Sequence, residues 1–159
     1  MTYESYDLVV ILLDEEIARW RWTHGYVENV AVAIALAVTD ERASGRIYNI
    51  GEEQALTEAE WVHAIGRAAG WTGEVMVMPR DRLPRALRWW GDATMEQDLA
   101  VDTTRIRAKL GYTEPVPRAE ALRRTVAWAR ANPPTDIPPT PFDYAAEDAV
   151  LAAVGMSHE

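Results

Sequence analysis

The sequence contains no cysteine. Disulfide frameworks, cysteine-ligated zinc and thiol catalysis are therefore excluded. Lysine is almost absent as well: of the 16 basic residues, only Lys109 is Lys. Long hydrophobic runs are missing, and Leu8–Leu13 is too short to span a bilayer. The first eighteen residues carry no Lys or Arg, which argues against a secretory or transit peptide. Base is also lacking from 132 to 159. Each end thus carries five uncompensated acids, which account for the net charge of −9 and leave the middle near neutral. Acidic ends disfavour nucleic acid and anionic membrane as partners, and the expected compartment is the cytoplasm.

What is present suits one α/β unit of 159 residues. Strands are expected at about 8–13, 46–50 and 74–78. Helices are expected at about 27–38, 57–69, 81–90, 103–110, 117–131 and 143–154. Val27, Val30, Ala31, Ile34, Ala35 and Val38 recur at helical spacing. Thr57-Glu58-Ala59-Glu60 reads as a capping box, with Trp61, Val62, Ile65, Ala68 and Ala69 behind it and Gly70 as the stop. Asp102 is placed to cap the helix holding Ile106 and Leu110, and Leu122, Val126 and Ala129 mark the inner side of the next. Arg19–Gly25 reads as a loop or irregular extended segment. Residues 1–132 form the main unit, and 133–159 a proline-rich linker with a final helix. Three strands are few for a free-standing α/β sheet.

Tyr26-Val27-Glu28-Asn29-Val30-Ala31 resembles the "H-V-D-D-V-A" stretch of the NAD-dependent epimerase/dehydratases, the extended short-chain dehydrogenase/reductases. Gly45-Arg46-Ile47-Tyr48-Asn49-Ile50-Gly51 is similar to that family's "G-x-x-Y-N-V-G". Asp102–Arg105, with Lys109-Leu110-Gly111-Tyr112 and Pro115, resembles its "D-x-S-K…L-G-W-x-P", and Arg118–Trp128 its closing helix. The resemblance runs from about Val9 to Ala131 and covers the C-terminal portion of such proteins. It implies a Rossmann-like fold, NAD as cofactor of the intact enzyme, and a nucleotide-linked sugar as ligand.

Two family features are missing from the sequence. The glycines Gly66, Gly70 and Gly73 stand at a helix end and before a strand, the wrong polarity for a pyrophosphate loop. Four residues before the sole lysine, Lys109, stands Arg105, so the family's Tyr-x-x-x-Lys pair cannot form. No catalytic, cofactor-binding or metal-binding residue is expected in this chain. It reads as a truncated, substrate-binding fragment, inactive alone. The resemblance puts Arg21 and Arg88 forward as contacts to a diphosphate, because guanidinium pairs well with phosphate oxygens; otherwise they are surface arginines covering Trp faces. Trp20, Trp22, Trp89 and Trp90 suit either an aromatic wall or a core or interface, with core or interface favoured. His24, His63 and His158 lack ligand spacing, and Glu60 with His63 reads as a solvated helix face. Asp14-Glu15-Glu16 and Glu52-Glu53 read as solvated or dipole-compensating charges. No serine sits in a G-x-S-x-G turn. The alternative is a protein-binding module that self-associates, as a dimer or by strand exchange, or pairs with a separately encoded N-terminal half. Its motive is an unneighboured strand at 46–50.

Overall fold

The computed structural model describes residues 10–84, 88, 97–134 and 144–155. Its elements in chain order are β1 (Val10–Asp14), α1 (Glu15–Arg19), α2 (Val27–Thr39), α3 (Glu58–Ala69), β2 (Glu74–Met78), α4 (Thr104–Leu110), α5 (Arg118–Ala131) and α6 (Tyr144–Ala153). The two strands pair in parallel, with Val10 opposite Glu74 and Asp14 opposite Met78. A parallel pair needs a crossover, and α1, α2 and α3 lie within it. The α/β class expected from the sequence is confirmed. Residues 8 and 9 of the first expected strand, and Asp143 before the last helix, lie outside the described residues.

β1 forms because Val10–Leu13 is a short apolar run, with Val10 and Leu13 buried. It ends at Asp14, whose Oδ1 accepts the N–H of Glu16 and so starts α1, a turn that the sequence did not announce. Asp14 is not a solvated charge. It is buried, and the guanidinium of Arg80, which follows β2, reaches it at 3.2 Å. Parallel pairing brings the two strand ends together and so creates that contact.

The capping box of α3 is complete. Thr57 accepts from Glu60 N–H, the Glu60 carboxylate accepts from Thr57 N–H, and Gly70 closes the helix in the left-handed region at φ 77°. The buried side differs in part from expectation: Trp61, Ala64 and Gly66 are buried, while Ile65 is exposed. Gly66 is needed for close packing, since a Cβ there would stand 2.5 Å from the Trp71 ring. α5 packs on α3 through its buried Ala121, with Leu122 and Val126 half-buried and Ala129 exposed.

A second core unites Ala33, Ala43, Ile106, Leu110 and Tyr112, with Leu36, Ala37, Tyr48 and Ile50 against it. Asn29 anchors it. Its side-chain amide donates to the Val116 carbonyl (2.8 Å) and accepts the Val116 N–H (3.0 Å), while its own carbonyl accepts the Tyr112 hydroxyl. Asp102 accepts the Thr104 N–H at the start of α4.

Two expected elements are corrected. Residues 46–50 form no strand. Their polar groups are held by side chains instead: Arg105 donates to the Ile47 carbonyl, Asn49 donates to the Asp102 carbonyl, and Arg107 donates to the Gly51 carbonyl next door. The helix expected over 81–90 begins as one 3-10 turn, Arg80–Arg82, and stops at an extended Leu83. Pro84 has no N–H and disfavours helical geometry at the residue before it. Residues 85–87 and 89–90 lie outside the described residues, Trp89 and Trp90 among them. No helix of the described residues is long and apolar enough to cross a membrane.

Candidate substrate-binding site

The segment Trp20–His24 is extended, as its sequence suggested, and it threads between two others. Arg21 bridges Thr57 in antiparallel fashion, and Trp22 bridges Leu99 in parallel. The Thr23 N–H donates to the Leu99 carbonyl, and the Thr23 hydroxyl accepts the Val101 N–H. This lays the segment against the start of α3. Gly51 lets the chain at 51–52 come close on its other flank, because a Cβ there would lie 2.2 Å from the Thr23 methyl.

Along this segment the aromatic rings form a row. Trp20 stacks on Trp22 at 5.6 Å between centroids, Trp22 meets His24 edge-on at 4.2 Å, and His24 packs on Trp61 at 4.0 Å. Trp20 is buried and its indole N–H donates to the Gln97 carbonyl. Trp22 is partly open, and its N–H donates to Glu58. Trp20 therefore takes the core position expected of it, whereas Trp22 stays exposed. Burial pushes the His24 pKa below its ordinary value, against a hydrogen bond with the Trp22 backbone that raises it.

Arginines border the row on both sides. Arg21 donates through Nη1 to the Ala55 carbonyl at 2.8 Å and lies 3.5 Å from Glu60, with its side chain 43% exposed. Its backbone N–H donates to Asp98. Arg118 stands over Trp61 at 5.9 Å, bonds Glu52 at 2.6 Å and donates to the Gln54 carbonyl. The Glu60 carboxyl is held below its ordinary range, first by the hydrogen bonds from Thr57 and then by the positive charge of Arg21 and Arg118. Arg88 is half-buried, and its Nε donates to the Leu83 carbonyl. Arg21 and Arg88 therefore occupy different segments, one at the entrance to α3 and one beyond β2.

Arg118 also walls a cavity of about 260 Å³, lined by Asn29, Glu52, Glu53, Gln54, Glu114 and Val116. Glu52 is not a solvated charge. Burial pushes its carboxyl up, and Arg118 opposes the shift. Glu114 is paired with Arg107 at 2.7 Å. The Arg118–Glu52 pair was missed from sequence. Its one visible signal is a cation at the first position of a helix, where the dipole disfavours it.

The β1–α1 turn has Asp14, Glu15 and Glu16 where a pyrophosphate loop would need glycines. The start of α2 carries Glu28, and that of α3 carries Glu58 and Glu60. These carboxylates repel the phosphates that a bare helix start attracts. No three His, Asp or Glu side chains among the described residues converge as metal ligands would.

No protein-family model matches the chain. Individual proteins do. A dTDP-glucose 4,6-dehydratase of Streptomyces niveus is 32% identical over 114 residues, which is 72% of this chain and 30% of that protein. The dTDP-glucose 4,6-dehydratase of Streptomyces griseus is 35% identical over 92 residues, 58% of this chain and 25% of that protein. Among solved structures, the UDP-glucose 4-epimerase of Thermus thermophilus, a complex with NAD, aligns with a TM-score of 0.53 and 26% identity, over 77% of this chain and 36% of that one. The chain resembles part of an NAD-dependent epimerase/dehydratase. The similarity expected from residues 26–31, 45–51, 102–115 and 118–128 is thereby confirmed. The chain spans only 25% to 38% of the length of the curated relatives it matches.

Proposed function

We propose that this chain is the substrate-side, C-terminal portion of an epimerase/dehydratase-like protein. It holds a nucleotide-linked sugar and does not transfer hydride by itself. The observation that carries this reading is the similarity to proteins named for dTDP-glucose and UDP-glucose, in a chain whose one lysine has Arg105 at the position of the needed tyrosine. Arg105 is moreover engaged in holding the Ile47 carbonyl and lies over Tyr48. NAD belongs to the intact protein, and the acidic helix starts of this portion leave its binding to another part.

Arg21 and Arg88 are the proposed diphosphate contacts. Arg21 supports the role best, because a guanidinium has five donor hydrogens and the bonds described for Arg21 leave several free. The cavity beside Arg118 is too acidic for a diphosphate and suits the hydroxyls of a sugar. The proposed setting is the cytoplasm.

The second reading, an assembly module, is favoured by residues 46–50. They form no strand among the described residues and leave Ile47 83% exposed. The two readings are compatible.

The test is a thermal-shift series with dTDP-glucose, UDP-glucose and NAD⁺. A ligand at about 100 times its dissociation constant stabilises by about 2.7 kcal/mol, a shift of several degrees for a chain of this size. The expected result is a shift with a nucleotide sugar that Arg21→Ala and Arg88→Ala each reduce. A shift with NAD⁺ alone overturns the proposal.

A further inference from the structure

The cavity beside Arg118 holds about 260 Å³. Sites that take a whole drug-sized ligand run to roughly 300–1,000 Å³, so this one suits a single sugar ring. Its walls are unequal in charge: the carboxylates of Glu52, Glu53 and Glu114 share it with one guanidinium, that of Arg118. Two of the carboxylates are matched, Glu52 by Arg118 at 2.6 Å and Glu114 by Arg107 at 2.7 Å. Glu53 is exposed and has no cation partner among the described residues. The matched pairs still feel each other. Burial pushes the Glu52 carboxyl up, Arg118 holds it down, and the charge of Glu114 adds to the rise. The remaining walls do not answer this excess. Val116 is apolar, Asn29 spends both ends of its amide on the Val116 backbone, and Arg118 is turned to Glu52 and the Gln54 carbonyl. The cavity also adjoins the proposed diphosphate contact. Arg118 holds the Gln54 carbonyl and Arg21 that of Ala55, the next residue, and the charges of both reach Glu60.

We propose that Glu53 sets the charge of the sugar this cavity admits, favouring a hexose that carries an ammonium group over a neutral one and disfavouring a hexuronate. This rests on the nucleotide-sugar reading above and names the sugar class. A sugar that follows a diphosphate at Arg21 reaches the cavity mouth. There an ammonium offers three donors and a positive charge to the Glu53 carboxylate. A hydroxyl bonds to it without charge, and a uronate carboxylate meets it as a like charge. Two unit charges about 4 Å apart in water interact strongly enough to change affinity about fivefold. Because Glu53 is exposed, salt weakens the effect.

The experiment is isothermal titration of the whole chain with the UDP and dTDP derivatives of glucosamine, glucose and glucuronate, the amine protonated, at low and high salt. It is run on the wild type, Glu53→Gln and Glu74→Gln. Glu53→Gln keeps the shape of the side chain and removes its charge. Glu74→Gln removes an equal charge from an exposed position on β2, outside the cavity lining. Circular dichroism checks that both variants keep the fold. The expected order is glucosamine tightest and glucuronate weakest, with a spread that narrows in high salt. The ratio of glucosamine to glucuronate affinity is expected to fall at least about fivefold in Glu53→Gln and to persist in Glu74→Gln. A glucuronate derivative that binds as tightly as the glucose one, or a ratio that Glu53→Gln leaves in place, overturns selection by Glu53 and leaves the nucleotide-sugar reading standing. No heat with any of these ligands overturns both.

Discussion

Asn29 shows how much one side chain can decide. It is buried, and both ends of its amide are spent on the backbone of Val116, eighty-seven residues away in sequence. Asn29→Ala strands a buried donor and a buried acceptor, so it should cost about 3 kcal/mol in urea unfolding. An unchanged midpoint would remove the anchor from this account. His24 makes the protein sensitive to acid. Its folded pKa lies below the unfolded value of 6.5, so the unfolded chain takes up the proton first. Stability is therefore complete above that value and is lost as pH falls from about 6.5 through the lower folded pKa. His24→Phe, which keeps a ring between Trp22 and Trp61, is expected to flatten that slope in melts at a series of pH values. Neither role was visible in the sequence. Asn29 occupies the place of an acid in a family motif, and nothing local says that it turns inward to the distant bend before α5. The place of His24 depends on Trp61, which only the fold brings near.

At the scale of elements, local chemistry was readable where it was complete in itself. Thr57, Glu60 and Gly70 mark both ends of α3, and the structure has both caps. Thr57→Ala should cost about 1 kcal/mol and Thr57→Ser almost nothing, measured by chemical unfolding. Gly66→Ala pushes a methyl into the Trp71 ring. It is expected to lower the melting temperature by several degrees, although alanine favours helix more than glycine does. Elements defined by a distant partner were not readable. Residues 46–50 read as a strand stopped by Gly51, yet Arg105 serves the Ile47 carbonyl and the Asn49 side chain reaches the Asp102 carbonyl in place of a strand ladder. The length of α2 was legible from its apolar repeat. Its orientation was not, because a helix apolar on most sides gives no direction, and Asn29, the polar exception, is the residue that faces inward.

At the scale of the whole molecule, motif order carried more than any single motif. Four weak matches in sequence order pointed to the epimerase/dehydratase relatives, and the fold agrees with them over about a third of their length. The binding geometry was less legible, since Arg21 and Arg88 are assigned by motif position, and the Arg118–Glu52 pair arises only when α5 packs against the 52–54 segment. The measurement that bears most directly on the central claim is isothermal titration of the whole chain with dTDP-glucose and with NAD⁺, repeated on Arg21→Ala. The account expects heat of binding with the nucleotide sugar, a loss of at least about tenfold in affinity in Arg21→Ala, the equivalent of about 1.4 kcal/mol, and no binding of NAD⁺. Saturable binding of NAD⁺ with none of the sugar nucleotide would contradict it.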